Sequence, residues 1–228
     1  MRRGMSLLLA TLLLFWFSYS VGAAPRIIYK YAGASNKKRV ALTFDDGPHQ
    51  RYTAEILDIL KEFGVSATFF AVGENAQSHP ELIRREVAEG HEVANHTSNH
   101  YHVSKLTDEE LVRDILACNQ TLEGITGRHV RLFRPPEGVC SEALKDICER
   151  EGLTIVLWSV DTRDWAHTPV EEICKNVREN VRNGSIILMH DFIGKNSPTP
   201  VALRRIIPML GELGYELVTV SQLLEGAE

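Results

Sequence analysis

The chain contains few cysteines, and none are spaced as in a structural zinc site. Its 228 residues include only Cys118, Cys140, Cys148 and Cys174, with no CxxC pair. A chain of this length needs no disulfides to stabilise its core, so we expect the four to be mainly structural. In an oxidising compartment three full pairings are possible, and so is none.

An excess of basic residues is also missing. The formal net charge is -5 and the pI is about 6.0, which provides no basic surface for a phosphate backbone. Nucleic acid is therefore excluded as an expected partner. Repeats and low-complexity tracts are absent, and the 44% hydrophobic and 24% charged content indicates one globular domain rather than a disordered or fibrous chain.

Long apolar runs are absent except near the N-terminus, where one extends from Met5 to Phe17 after two arginines. The small residues at 21–23 suit signal-peptidase cleavage. We therefore predict a signal peptide at 1–23, a lead-in segment at 24–37 and one catalytic domain at 38–226. An uncleaved anchor is the alternative, because a bilayer span needs roughly 20 apolar residues. In both cases the domain is expected outside the cytoplasm, secreted or associated with the cell envelope.

From residue 38 onward, short β-branched runs alternate with longer amphipathic runs, which predicts βα units around a parallel sheet. The seven predicted strands are Arg39 to Phe44, Ala67 to Val72, Glu92 to Asn95, Val130 to Phe133, Thr154 to Val160, Ser185 to Met189 and Glu216 to Val220. Periodicity does not decide between a barrel and an open doubly wound sheet. In both folds, the loops after the strands gather on one face, where function is expected.

Polar residues follow the predicted strands at that face. They are Asp45, Asp46, His96, His100, Arg134, Glu137, Asp161, Asp164, His190 and Asp191. Each one alone has a plain structural explanation, such as a turn or a buried histidine. Their convergence on one edge indicates a site.

Two histidines in that set have metal-ligand spacing. His96 and His100, in "NHTSNH", can direct both imidazoles at one centre if the segment turns helically. One added carboxylate would complete a site for zinc or a neighbouring divalent metal, with a position left for water or substrate. The adjacent Asp45 and Asp46 are then explained if one binds the cation and the other accepts a proton from water.

The ordered motifs "TFDDGP", "HTSNH", "RPPEG", "DTRDW" and "LMH" resemble those of the polysaccharide deacetylases of carbohydrate esterase family 4, the NodB-homology family. The resemblance covers roughly residues 38–224. It implies a single-domain distorted (β/α)7 barrel and a metal-dependent hydrolase that removes N-acetyl groups from N-acetylglucosamine polymers. Zn²⁺ is the expected ion, with Co²⁺, Mn²⁺ or Ni²⁺ as alternatives.

The resemblance also implies a role for each matching residue. The implied metal ligands are Asp46, His96 and His100. The implied catalytic residues are Asp45 as base, Arg134 as its support, His190 as acid and Asp164 as the partner of His190. Trp165 and Leu188 would line the acetyl pocket. The family often has an aromatic residue, commonly tyrosine, at the position of Glu137, whose backbone N–H would donate to the oxyanion.

Several alternatives remain at this stage. Peptidoglycan is the first expected substrate and chitin-like oligomers the next, while an O-acetyl xylan esterase would use the same residues. A non-catalytic glycan-binding relic is a further hypothesis. His102 could replace a metal ligand, although contact with solvent or substrate is favoured, and Asp191 could replace Asp164 beside His190. Asp161 could cap a turn or bind substrate, and we expect a monomer.

Overall fold

A computed structural model of the chain describes residues 26–31 and 37–225. The predicted signal peptide or anchor at 1–23 lies outside the described residues. Within the described ranges, no helix has the length and apolar character needed to cross a bilayer. The four cysteines are free thiols, and three of them are buried.

Nine parallel strands form one sheet in the described part of the chain. They are β1 Ile27–Ile28, β2 Arg39–Asp45, β3 Thr68–Ala71, β4 Glu92–Asn95, β5 Leu132–Phe133, β6 Thr154–Val156, β7 Val160–Asp161, β8 Ile186–His190 and β9 Glu216–Leu217. Their spatial order is β1-β6-β5-β4-β3-β2-β8-β7, with β9 paired to β2. The sheet curls into a half-barrel, which confirms the α/β fold of the predicted barrel class.

The helices are α1 Tyr52–Phe63, α2 Gly73–Ser78, α3 Pro80–Ala88, α4 Asp108–Thr126, α5 Glu142–Arg150, α6 Val170–Asn180, α7 Thr199–Glu212 and α8 Val220–Glu225. Strand β2 is buried along nearly its whole length, as expected for a central parallel strand covered on both faces. A capping box is present at the start of α4, where Thr107 and Glu110 satisfy each other's backbone N–H groups.

The predicted strand from Thr154 to Val160 is wrong as a single element. It divides into β6, which pairs with β5 and β1, and β7, which pairs with β8. The carbonyls of Val156 and Leu157 at the break accept hydrogen bonds from the Arg134 guanidinium at 3.0 and 3.3 Å. The buried Arg134 guanidinium therefore occupies backbone carbonyls that would accept hydrogen bonds within a continuous strand ladder.

Other elements also differ from the prediction, including β1 and the last strand. Strand β1 lies in the expected lead-in segment. The sequence does not predict it, because two residues are too few to show an alternating pattern. Val220, predicted at the end of the last strand, instead begins α8.

The segment 26–31 connects two parts of the curled sheet. Ile27 and Ile28 pair with β6, and Lys30 bridges to Ser185 just before β8. The N–H of Tyr31 donates to the carbonyl of Gly184 at 2.8 Å. Gly184 has a φ of +82°, and a Cβ there would lie 2.0 Å from the Tyr31 carbonyl oxygen.

We predict that Gly184→Ala lowers the free energy of unfolding by about 2–4 kcal/mol, because it adds both backbone strain and a clash. Gly90→Ala is the matched control, since Gly90 has a φ of +86° and open space around its Cβ position. The control should lose only about 1 kcal/mol. Urea unfolding of both variants measures the difference, and equal losses would show that the contact with Tyr31 contributes nothing.

Candidate active site

The parallel register brings the predicted site residues to one edge. Asp45 at the end of β2 is the Cα partner of His190 on β8, and Asn95 at the end of β4 is the partner of Phe133 on β5. The chain therefore leaves β4 into His96 and β5 into Arg134 at neighbouring positions. Four strand ends contribute side chains to one cluster.

The first part of the cluster is a carboxylate facing two imidazoles. Oδ1 of Asp46 lies 3.3 Å from Nε2 of His96 and 3.1 Å from Nε2 of His100. One ligand atom from each residue lies within 4.8 Å of the others. No hydrogen bond of acceptable geometry reaches this buried oxygen within the described residues. An orphaned carboxylate oxygen beside two imidazole nitrogens fits a divalent transition metal, so these residues could hold one.

Backbone geometry holds these ligands in place. The predicted helical turn after His96 does not form. Instead, Asp46, Thr97 and His100 adopt positive φ angles of 78°, 66° and 54°. Nδ1 of His96 donates to the carbonyl of Arg134 at 2.7 Å, which leaves the Nε2 lone pair directed toward Asp46.

Charge is distributed unevenly over the ligands. Burial would raise the pKa of Asp46, but the close contacts of its carboxylate with the His100 and His96 imidazoles outweigh burial and hold that pKa far below its usual value. The same contact with Asp46 raises the pKa of His100. Asp46 is thus an anion over the whole physiological range of pH, as a metal ligand must be.

Asp45 occupies a different environment. Its Oδ1 accepts a 2.6 Å hydrogen bond from Nη1 of Arg134, which is fully buried. Nη1 also donates to Thr43 Oγ1 at 2.9 Å, and the guanidinium lies 4.0 Å from the centroid of the Phe70 ring. The other oxygen, Oδ2, lies 3.8 Å from Nε2 of His96. One carboxylate oxygen is therefore fixed, and the second faces the candidate metal centre.

His190, the Cα partner of Asp45 on the neighbouring strand, pairs with Asp164. Its Nδ1 is 2.8 Å from Oδ1 of Asp164, whose Oδ2 accepts from the His190 N–H at 2.8 Å and from Thr199 Oγ1 at 2.7 Å. Burial would lower the pKa of His190. The hydrogen bond and charge of Asp164, with the charges of Asp45 and Asp46, outweigh burial and raise the pKa to about 9.

Asp191 does not have the geometry of the partner to His190. Its carboxylate accepts a 2.5 Å hydrogen bond from Thr53, and its N–H donates to the Asp45 carbonyl at 3.1 Å. A Cβ on Gly47 would lie 1.9 Å from that carboxylate. Burial raises the pKa of Asp191 to about 7. Asp191 therefore packs against the turn that carries Asp45 and Asp46.

The remaining predicted residues lie around this centre. Trp165 directly follows Asp164 and is 49% exposed, whereas Leu188 is buried in β8. Glu137 lies in the turn Pro136–Gly138, with its Oε2 3.0 Å from Nε2 of His102. Asp161 accepts from the Arg163 N–H at 2.8 Å and so caps a turn.

Two supporting threonines receive no role from the sequence, although Thr43 is the first residue of the "TFDDGP" motif. Thr43 could have been found from strand alternation, because it lies two residues before Asp45 and so shares its face. Thr199 begins α7, far along the chain from Asp164, and no local pattern links the two.

Comparison with known proteins places this geometry in a family. A sequence profile described as polysaccharide deacetylase matches residues 32–156. A peptidoglycan-N-acetylglucosamine deacetylase of Bacillus cereus is 42% identical over 192 residues, covering 83% of this chain and 90% of that protein. A chitooligosaccharide deacetylase of Sinorhizobium fredii is 40% identical over 194 residues, covering 80% and 90%.

Solved structures are also similar to this chain in fold. The crystal structure of the Bc1960 peptidoglycan N-acetylglucosamine deacetylase has a TM-score of 0.83 at 36% identity and covers 87% of this chain and 92% of its own. A family 4 pseudoenzyme from Bacillus anthracis has a TM-score of 0.80 at 31% identity, covering 89% and 70%. Sequence, fold and motif order together show that the chain belongs to the polysaccharide deacetylase family, carbohydrate esterase family 4.

Proposed function

We propose that the chain is a metal-dependent hydrolase that removes N-acetyl groups from an N-acetylglucosamine polysaccharide, with peptidoglycan as the first candidate and chitin-like oligomers as the second. The observation that carries the proposal is the group Asp46, His96 and His100, together with the open oxygen of Asp45 and the His190–Asp164 pair at the same edge of the sheet. The named relatives act on both kinds of glycan.

The ligands would be Asp46, His96 and His100, and their two nitrogens and one oxygen favour Zn²⁺, with Co²⁺, Mn²⁺ or Ni²⁺ also compatible. A bound cation supplies a water of lowered pKa and polarises the acetyl carbonyl. Residues of the chain would transfer the protons and stabilise the oxyanion.

Asp45 would act as the base. Arg134 immobilises Oδ1, so Oδ2 faces the centre in a fixed direction and can accept the proton of the attacking water. His190 would act as the acid, since a pKa of about 9 keeps the imidazole protonated at neutral pH. It can then donate that proton to the leaving nitrogen, which departs poorly as an anion.

The turn after β5 would stabilise the oxyanion. Glu137 and Gly138 have φ angles of 57° and 70°, and a Cβ on Gly138 would lie 2.7 Å from the Trp158 ring, so the turn is held in one conformation. A fixed backbone N–H at Glu137 is the kind of donor that contributes about 10²–10³ in rate. Trp165 and Leu188 would line the pocket for the acetyl methyl group.

An O-acetyl xylan esterase is the alternative enzyme, because the same groups can hydrolyse an ester with a better leaving group. A non-catalytic relic is the alternative from another class, and the pseudoenzyme among the similar structures shows that the fold can carry one. The presence of the base, the acid and all three candidate ligands favours catalysis in this chain. We also propose that the enzyme acts outside the cytoplasm, which its N-terminal sequence and its peptidoglycan-deacetylase relatives support.

The test of the proposed function is mass spectrometry of N-acetylglucosamine oligomers, peptidoglycan fragments and acetylated xylan after treatment with zinc-loaded protein. We expect the loss of one acetyl mass per reaction from the amino-sugar substrates, and we expect a chelator to block it. Loss from xylan alone would support the esterase, and no loss from any glycan would support the relic.

We predict that Asp45→Asn lowers kcat by about 10²–10⁴ while the protein retains its metal, because the base is lost and the ligands remain. His96→Ala should lose both metal and activity. Elemental analysis of the purified variants, together with acetate release, separates the two effects. Retained turnover in Asp45→Asn would remove Asp45 from the role of base.

We also predict that the alkaline limb of kcat/KM depends on Asp164. In the wild type, activity should fall as pH rises through the pKa of His190. That pKa is at or below about 9, because a bound cation would offset the negative charge of the nearby carboxylates that helps to raise it. Asp164→Asn removes the charge but keeps the burial, so the limb should move toward the ordinary histidine pKa of 6.5 or lower.

Asp161→Asn is the matched control for this pH profile. It removes a neighbouring carboxylate that contacts the Arg163 N–H rather than His190. The control should leave the alkaline limb in place. An unshifted limb in Asp164→Asn would mean that His190 is not the acid.

A further inference from the structure

Glu137 and His102 form a bridge between the two loops that border the candidate metal centre. His102 belongs to the loop after β4, two residues beyond His100, and Glu137 belongs to the loop after β5, three residues beyond Arg134. Their side chains meet at 3.0 Å, between Oε2 of Glu137 and Nε2 of His102. The bridge therefore lies at the rim of the site.

The hydrogen-bond pattern defines how the bridge is built. Nδ1 of His102 accepts from the Ser104 N–H at 3.3 Å and lies 2.7 Å from the Ser104 hydroxyl. A ring whose Nδ1 accepts carries a proton on Nε2, so Nε2 of His102 donates to the Glu137 carboxylate. His102 is thereby engaged away from the candidate ligand group, and the bridge leaves the negative charge of Glu137 in place.

The Glu137 carboxylate is fixed in position but remains exposed to solvent. The side chain of Glu137 is 59% exposed, and its backbone has a φ of 57° in a turn whose next residue is packed against Trp158. A carboxylate fixed on a rigid turn would lie next to any glycan chain that binds beside the reacting sugar. A mobile surface glutamate would instead move away from an approaching anion.

From this arrangement we infer that Glu137 is a specificity-determining residue, which disfavours glycans with a free carboxylate on the sugar next to the reacting acetamido group. The inference rests on the proposed function and narrows its substrate class. Muramic acid residues carry a lactyl carboxyl, which is an anion when free and neutral when joined to a peptide through an amide. The site would thus favour peptide-bearing or chitin-like strands over stripped strands.

The test compares three oligomers of equal length: N-acetylglucosamine alone, alternating N-acetylglucosamine and N-acetylmuramic acid with free carboxylates, and the same alternating chain with those carboxyls as methylamides. The readout is the ratio of kcat/KM for the free acid to kcat/KM for the amide. Steric effects of the lactyl group cancel in this ratio, because both chains carry it.

We expect Glu137→Gln to raise the acid-to-amide ratio about threefold to fivefold, the size of an exposed pairwise charge interaction. Glu137→Asp keeps the charge and should keep the wild-type ratio. Glu142→Gln is the matched control, since Glu142 is an exposed carboxylate five residues away that pairs with Lys145 at 2.6 Å. It should leave the ratio unchanged.

Glu137→Tyr provides a second neutral variant if Glu137→Gln folds poorly, and it should raise the ratio in the same direction. An unchanged ratio in a folded neutral variant would overturn the inference while leaving the deacetylase proposal intact. No acetate from any of the three oligomers with the wild-type protein would overturn both.

Discussion

The structure around the candidate site depends on one buried ion pair, between Arg134 and Asp45. The guanidinium is fully buried, so its N–H groups need acceptors inside the protein. Asp45, Thr43 and the carbonyls of Val156 and Leu157 accept hydrogen bonds from four of the five N–H groups. Burying two charges is costly unless hydrogen bonds are nearly complete, and this pair meets that condition.

The ion pair also connects distant parts of the chain. Arg134 follows β5, Asp45 ends β2, and the accepting carbonyls lie where β6 gives way to β7. The carbonyl of Arg134 itself accepts from His96 and so fixes the tautomer of a candidate ligand. One residue therefore sets the direction of the candidate base, the orientation of an imidazole and the break in the strand.

Neighbouring acids acquire different properties from their surroundings. Asp45 and Asp46 are adjacent, yet one is bound to a guanidinium and the other faces two imidazoles. Asp164 is the counter-charge of His190, while buried Asp191 has a raised pKa beneath the turn. Sequence shows only that these four aspartates follow strand ends, and their environments give them separate roles.

Much of this could be predicted from the sequence. Strand ends are marked by apolar runs that stop at polar residues, so the sequence alone assigns Asp45, His96, Arg134 and His190 to one edge. The motif order also indicated the family. These features are local in the chain, or follow from the rule that parallel strands end on one face.

The rest could not be predicted, because it depends on contacts between distant residues. The split of the Thr154 to Val160 run follows from Arg134, which lies about twenty residues earlier in the chain. The hydrogen bond from Thr199 to Asp164 has no sequence signature. The sequence argument required a helical turn between His96 and His100, and none forms. A tight turn with positive φ angles also brings two residues four positions apart to one centre.

Those positive φ angles link the fold to the chemistry. Asp46, Thr97, His100 and Glu137 all adopt them, although none is glycine. Each such residue costs on the order of 1–3 kcal/mol, and the cost persists only where the surroundings determine the conformation. Here the surroundings are the ends of buried parallel strands, whose ladders fix where each loop begins. The half-barrel thus offsets the strain of a site in which carboxylates and imidazoles from separate strands must face one point.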